Sequence, residues 1–178
     1  MESLKIIFLC ILAAVVYGIL HDQVTARVCV EYFTIAHPPV FHTTSPTLLA
    51  IGWGIIATWW VGLILGIPAA LISRLGSWPK FTAGRLFRPM LILMIVTALA
   101  SLLAGIVGYL LAKAGRLELH GRLAARAPVD CHDRLFADGF AHMTAYGVGS
   151  VGGLVLCVCV LFWRWRMARS DCSMKTSG

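Results

Sequence analysis

Charged residues are scarce in this chain: Asp, Glu, Lys and Arg make up 13% of its 178 residues, whereas 59% of the residues are hydrophobic. Carboxylates are the scarcest charged group, with 8 Asp and Glu against 15 Lys and Arg. A water-soluble domain of this size needs more polar side chains to cover its surface. The composition therefore excludes an ordinary soluble domain and indicates a single membrane-embedded domain, 1–178.

Two functional patterns are also missing. The six cysteines include no Cys-x-x-Cys pair, which the quinone-linked thiol oxidases of the disulfide-forming and vitamin K epoxide reductase types require, so those families are excluded. No basic run is interleaved with aromatic residues, and the net charge of +7 comes from residues beside apolar segments. We therefore expect the lipid bilayer, membrane protein partners or a second copy of the chain as partners, and no nucleic acid.

Four apolar runs each have about the length of a bilayer crossing, roughly 20 residues. They predict an all-α membrane protein, a four-transmembrane-helix bundle in which two extracytoplasmic loops form a small cap. The predicted spans are 4–20, 46–75, 90–112 and 135–163; the loops are 21–45, 76–89 and 113–134, and a tail follows at 164–178.

Prolines and small residues set the predicted helix ends. Ser45 and Pro46 are a typical helix start, and Pro89 is expected to open the third helix in the same way. Pro68 is expected to bend the second helix. The first run resembles a signal peptide, with Val24-Thr25-Ala26 as a cleavage site, but we expect it to be an uncleaved transmembrane helix.

The distribution of Lys and Arg predicts the orientation, because cytoplasmic loops carry an excess of these residues. Nine lie at the N-terminus, in the stretch 74–88 and in the tail, and six lie in the two long loops. Both termini are therefore expected in the cytoplasm, with the long loops outside, and we expect a bacterial inner membrane. The tail begins with Trp163, Arg164, Trp165 and Arg166, which are typical of an anchor at the membrane interface.

The extracytoplasmic side collects the groups that carry chemistry. All six histidines and six of the eight acids fall on that side. Asp138 and His142 are four residues apart near the start of the fourth helix and share one face. Ionisable groups at membrane depth are costly unless paired, and they indicate a functional site.

Imidazole and carboxylate ligands predict a site for zinc, iron, manganese or copper. Asp138 and His142 supply two of its expected ligands, and the first long loop supplies the others. A purely structural hydrogen bond between Asp138 and His142 is the alternative, because the chain has no established ligand motif. The candidate metal ligands are Asp138, His142, His37, Glu31, His21 and Asp22.

The conformation of the first long loop stays open at this point. Arg27 and Glu31 have the spacing of a helical ion pair, whereas the alternation of apolar and polar residues over 24–31 is typical of a strand. Each long loop carries one cysteine, Cys29 and Cys131. Since disulfides persist outside the cytoplasm, these two cysteines are expected to form one.

The run HDQVTARVCVEYFTIAHPP, which follows Tyr17-Gly18-Ile19-Leu20, resembles a stretch found in small bacterial four-helix membrane proteins that have no established activity. The resemblance covers about one loop. It implies a membrane location and transfers no functional residue.

These observations predict an integral membrane protein with an extracytoplasmic His/carboxylate site that binds a metal and acts on a hydrophobic or lipid-like substrate. The alternative is a non-catalytic accessory or scaffold subunit of a membrane protein complex. A proton pump is disfavoured, because no charged residue or histidine lies between the outer polar layer and the cytoplasmic helix ends.

Overall fold

The computed structural model describes the backbone of residues 1–176 and the side chains of residues 1–170, and all regular structure in that part is helical. A single π-helical turn, Tyr32–Ala36, and a 3-10 turn, Val129–Cys131, accompany the α-helices. The α-helices are α1 Glu2–Val28, α2 Pro46–Ile56, α3 Trp59–Arg74, α4 Ala83–Lys113, α5 Gly121–Arg126 and α6 His132–Thr176.

Four helical segments are long and apolar enough to cross a membrane, which confirms the predicted all-α class with four membrane-length helices. They are Glu2–Val28, Pro46–Arg74, Ala83–Lys113 and Val129–Ser170, with mean hydropathies of 2.5, 2.1, 2.7 and 2.1. α1 packs mainly against α2 and α3, α4 packs mainly against α6, and α3 also contacts α6.

The first helix is longer than predicted. α1 continues to Val28 instead of ending near residue 20, and the strand interpretation of 24–31 is wrong. The polar residues continue the helix because they fit its two faces. Asp22 and Thr25 are buried against the bundle, and Arg27 donates to the carbonyl of Gln23 at 2.6 Å on the exposed face.

The second crossing breaks at Ala57 and Thr58, whereas the prediction placed a bend at Pro68. Pro68 lies inside α3. At the break, the Thr58 hydroxyl donates to the carbonyl of Gly54 at 2.5 Å, and the Tyr146 hydroxyl on α6 donates to the carbonyl of Ala57 at 3.2 Å. These side chains satisfy carbonyls near the interruption, so the membrane interior tolerates it.

The third helix begins at Ala83, and Pro89 lies within it instead of opening it. The helix starts earlier because the Glu2 carboxylate of α1 accepts from the backbone N–H of Ala83 at 3.4 Å. A carboxylate at a helix N-terminus is favourable both as a hydrogen-bond acceptor and as a charge.

The fourth helix is also longer at both ends than the predicted 135–163. It begins at His132 and continues through the predicted tail to Thr176. From the sequence, Cys172 is expected to be a free cytoplasmic thiol, but its side chain lies outside the described residues. The same applies to residues 177 and 178.

Arg164 is not the interfacial anchor that the sequence predicts. Its side chain is 2% exposed, and its guanidinium donates to four backbone carbonyls where α3 ends and the following loop turns. Five N–H donors in a planar fork suit such a cluster of carbonyls. The accepting carbonyls belong to Ile72, Leu75, Trp78 and Pro79.

Small residues allow the helices to approach closely. A Cβ added at Gly54 would lie 2.5 Å from the backbone nitrogen of Ile19, and one at Gly62 would lie 2.6 Å from the Cα of Ile11. Gly108 of α4 contacts α6 in the same way. Such contacts replace the hydrophobic effect, which is weak between helices in lipid.

Candidate functional site

Three of the six predicted metal ligands converge. Asp22 and His21 lie on α1, and His142 lies on α6, 120 residues further along the chain than Asp22. One ligand atom from each of these side chains lies within 4.8 Å of the other two. Asp22 is 5% exposed, and the buried Nε2 atom of His21 has no hydrogen-bond partner among the described residues. The three side chains thus form a compact group, which we call the His–Asp site.

The hydrogen bonds of His142 define its chemical state. Its Nδ1 lies 2.8 Å from the backbone carbonyl of Asp138, and because a carbonyl only accepts, Nδ1 must carry the proton. In a neutral ring Nε2 is then an acceptor, yet it faces the Oδ1 atom of Asp22 at 3.2 Å. Two acceptors at this distance require a proton or a cation between them.

Aromatic rings surround the His–Asp site. Tyr32, in the π-helical turn, stacks on His142 with ring centroids 4.5 Å apart, and Tyr17 stacks on His21 at 5.7 Å. The His37 ring contacts Tyr32 and lies 4.7 Å from Trp53. Burial raises the pKa of the Tyr32 hydroxyl to about 12, so it stays protonated at neutral pH. The rings hold the imidazoles in place and restrict water.

The other three predicted ligands lie outside the group. His37 Nδ1 donates to the carbonyl of Tyr32 at 2.8 Å, which leaves its Nε2 available beside the same cavity. Asp138 is 1% exposed, and within the described part of the chain its carboxylate atom Oδ2 has no hydrogen-bond partner. The predicted Asp138–His142 pairing therefore uses the backbone carbonyl of Asp138, not its carboxylate. Glu31 belongs to a different cluster, beside Cys29 and Cys131.

A cavity of about 190 Å³ extends from the His–Asp site into the bundle. It runs along α1 from Asp22 to Cys10, a distance of about 18 Å at 1.5 Å per residue. Its wall below the imidazoles consists largely of apolar or small side chains from α1, α3, α4 and α6, including Ala14, Leu65, Leu93 and Gly153. Apolar cavities with a few convergent polar groups are typical ligand sites.

The predicted disulfide is not formed: Cys29 and Cys131 are both free thiols in the structure. They are nevertheless neighbours, because their sulfurs lie within 4.8 Å of each other. Cys29 donates to the Glu31 carboxylate at 3.4 Å, and burial raises the pKa of its thiol to about 12. Cys29 is therefore protonated and a poor nucleophile in this state.

Comparison with known proteins adds no further evidence. No protein-family model matches the chain, and no curated protein and no solved structure is significantly similar to it. The function must therefore be inferred from the geometry of the site alone.

Sequence reasoning missed the aromatic wall, and above all Tyr32. Tyr32 lies in the same polar stretch as His21 and His37. Neither a helical nor a strand pattern over this stretch predicts which side chain Tyr32 contacts. Its contact with His142 depends on the π-helical turn Tyr32–Ala36, for which the sequence carries no recognisable signal. π-helical turns are often found at functional sites.

Proposed function

We propose that this protein is an integral membrane metalloprotein. The His–Asp site binds a divalent transition-metal ion, and the adjoining cavity binds the apolar part of a hydrophobic or lipid-like ligand. The observation that carries the proposal is the group formed by His21, Asp22 and His142. In this group, Nε2 of His142 lies 3.2 Å from Oδ1 of Asp22, and Nε2 of His21 has no hydrogen-bond partner among the described residues.

The hydrogen bond from His142 to a backbone carbonyl supports metal binding. A histidine that binds a metal commonly donates its other ring N–H to a carbonyl or carboxylate, which orients the ring and makes it a better ligand. Two imidazoles and one carboxylate leave a coordination position open, as in catalytic zinc sites. A polar group of a ligand can occupy that position.

Charge balance also favours a cation at this place. Asp22 is buried in a membrane-spanning helix, where an uncompensated carboxylate is costly. Among residues 1–170, its side chain makes an ion pair with no Lys or Arg, and His142 is its only hydrogen-bond partner. A divalent ion would neutralise Asp22 and occupy the histidine nitrogens together.

Replacing His142 with alanine should strongly weaken metal binding at the His–Asp site of the full-length protein in detergent. Loss of one of three protein ligands should weaken zinc or manganese binding by about 100-fold or more. The measurement is isothermal titration with each metal, together with elemental analysis. His120→Ala is the matched control, because His120 is an exposed histidine whose polar interactions, within residues 1–170, are with Glu118. Equal affinities of the two variants would contradict the proposal.

Filling the cavity should prevent the binding of an apolar chain. A Cβ at Gly149 would lie 3.9 Å from Thr97 at the cavity wall, so Gly149→Leu places its side chain in the cavity. We expect this variant to retain about 10-fold less lauric acid in native mass spectrometry, since an occupied apolar cavity cannot accept a second chain. Gly147→Leu is the control, because Gly147 is exposed and has no neighbour within 4 Å. Equal retention by both variants would exclude the cavity as the binding site.

We further propose that the His–Asp end of the bundle faces outward in a bacterial inner membrane, with both termini in the cytoplasm. The excess of Lys and Arg beside the opposite end supports this orientation. The two long connections would then cap the site on the outer surface. The packing of Tyr32 and Leu119 around Cys29 and Cys131 supports such a cap.

An accessory or scaffold subunit is the less favoured function. Such a subunit would use the glycines of the last helix, Gly147, Gly149, Gly152 and Gly153, for contacts with partner proteins. In this structure Gly152 and Gly153 contact Leu93 and Leu65 of the same chain, and only Gly147 of the four is exposed. Native mass spectrometry in mild detergent distinguishes the two functions, because an accessory subunit should be detected at the mass of a larger complex.

A further inference from the structure

A second group of metal-binding side chains lies on the other side of Tyr32 from the His–Asp site. Cys29 and Glu31 come from the segment after α1, and Cys131 comes from the turn that precedes α6. One ligand atom from each lies within 4.8 Å of the other two, and the thiol of Cys29 is 3.4 Å from a carboxylate oxygen of Glu31. Cys131 lies about 100 positions from the other two residues in the chain, so the fold and not local sequence brings the three together.

The local backbone builds this group. α1 ends at Val28, and the extended backbone of the next residue, Cys29 (φ −148°, ψ 95°), turns the chain so that Cys29 and Glu31 point the same way. On the other side, the Cys131 thiol donates to the carbonyl of Pro128 at 3.0 Å, which fixes its rotamer. Both cysteines are buried, 1% and 0% exposed, and apolar residues enclose them. The enclosing residues are Tyr32, Ile35, Leu119, Ala127 and Leu135.

We propose that Cys29, Glu31 and Cys131 form a second metal site, which binds a thiophilic divalent ion of the zinc class. Two sulfurs and one carboxylate oxygen are ligands that zinc accepts in tetrahedral sites, with water as the fourth ligand. On binding, the two thiols release their protons to solvent and two metal–sulfur bonds form. No electron is transferred, and no oxidant is needed.

The carboxylate distinguishes this site from a simple cysteine pair. A disulfide needs only two sulfurs, and an acid beside them serves no purpose in that bond. Glu31 is partly buried and, in residues 1–170, makes no ion pair with a Lys or Arg, although its carboxylate accepts from Cys29. A metal ion would use all three groups. It would also hold the segment that carries Tyr32 against the start of α6, and so fix the aromatic wall over His142.

Cobalt(II) provides a test that separates this site from the His–Asp site, because only a thiolate ligand gives an intense sulfur-to-cobalt absorption in the near ultraviolet. The full-length protein in detergent, purified with a reductant and without oxygen, is titrated with cobalt chloride. We expect the absorption band to appear as cobalt binds and zinc to displace it. His142→Ala should leave the band unchanged, so the failure of one site is distinguishable from the failure of the other.

Variants of the ligands complete the experiment. Cys131→Ser should remove most of the band. Cys159→Ser is the control and should keep the band, because Cys159 lies within α6 and belongs to neither group of ligands. Glu31→Gln should keep the band but weaken cobalt binding by about 10–100-fold. The proposal is overturned if the reduced wild-type protein gives no band, if Cys131→Ser keeps the full band, or if intact-mass analysis shows Cys29 and Cys131 joined by a disulfide that the reductant does not open.

Discussion

Replacing Gly54 with alanine should destabilise the bundle by about 2–3 kcal/mol or more, although it adds a single methyl group. The new Cβ would lie 2.5 Å from the backbone nitrogen and 2.6 Å from the Cα of Ile19. These are atoms of the α1 backbone, so no side chain can rotate away, and α1 and α2 must separate. The α1 side of this contact leaves equally little space, because a Cβ added at Gly18 would lie 2.7 Å from the carbonyl oxygen of Gly54.

The separation of α1 and α2 would reach the functional site. Gly18 lies one turn before His21 and Asp22 on α1, so a displaced α1 carries both side chains away from His142. We therefore expect Gly54→Ala to lower the melting temperature in detergent and to weaken metal binding at the His–Asp site in the same samples. A variant that loses stability but binds metal at full affinity would show that the site does not depend on this helix contact.

Gly147→Ala is the matched control for this substitution. Both glycines lie within helices, but Gly147 has open space around its Cα. Alanine in a helix interior is favoured over glycine by about 0.5–1 kcal/mol, so the control should be neutral or slightly stabilising. If Gly54→Ala lowers the stability and Gly147→Ala does not, the loss is caused by the contact between helices and not by helix propensity.

Replacing Arg164 with alanine should have the second large effect, a loss of about 3–5 kcal/mol. The guanidinium donates to carbonyls of Ile72, Leu75, Trp78 and Pro79, where α3 ends and the loop to α4 begins. Alanine would leave these carbonyls without their donors. Lysine should recover only part of the loss, because one ammonium group cannot reach four acceptors in a fork.

The expected local consequence is a loosened loop between α3 and α4. Trypsin should then cut faster after Lys80, an exposed residue in that loop, in Arg164→Ala than in the wild type. Arg166→Ala is the control, since Arg166 lies two residues away on the same helix and its exposed side chain stacks only on Phe162. Equal cleavage rates and melting temperatures for the two arginine variants would refute the role assigned to Arg164.

Several features of the fold could be predicted because they depend on composition along the chain. Apolar runs of bilayer length indicate membrane helices wherever they occur, and the four runs of this chain form four helices of that length. Helix ends were predicted less well. Proline favours the first turn of a helix, so Pro89 predicts a start there, but the helix begins at Ala83, where a carboxylate from α1 accepts from the first N–H.

The candidate site was predicted in part for the same reason. The concentration of histidines and acids at one end of the bundle was visible in the sequence, and it led to His21, Asp22 and His142. Their actual grouping was not visible. The sequence favoured Asp138 as the partner of His142 because four residues separate them, whereas Asp22 supplies the carboxylate and Asp138 supplies a carbonyl.

The linear order of residues was enough to determine the all-helical class, the number of membrane-length helices and the end of the bundle where polar chemistry concentrates, because hydropathy and charge act residue by residue. Tertiary structure alone decided which ligands meet. Asp22 and His142 are 120 residues apart, and a contact at that separation depends on how closely α1 approaches its neighbours and on the turn that sets Tyr32 over the imidazole. Close approach and rotation are properties of packed helices, and no single stretch of the chain encodes them.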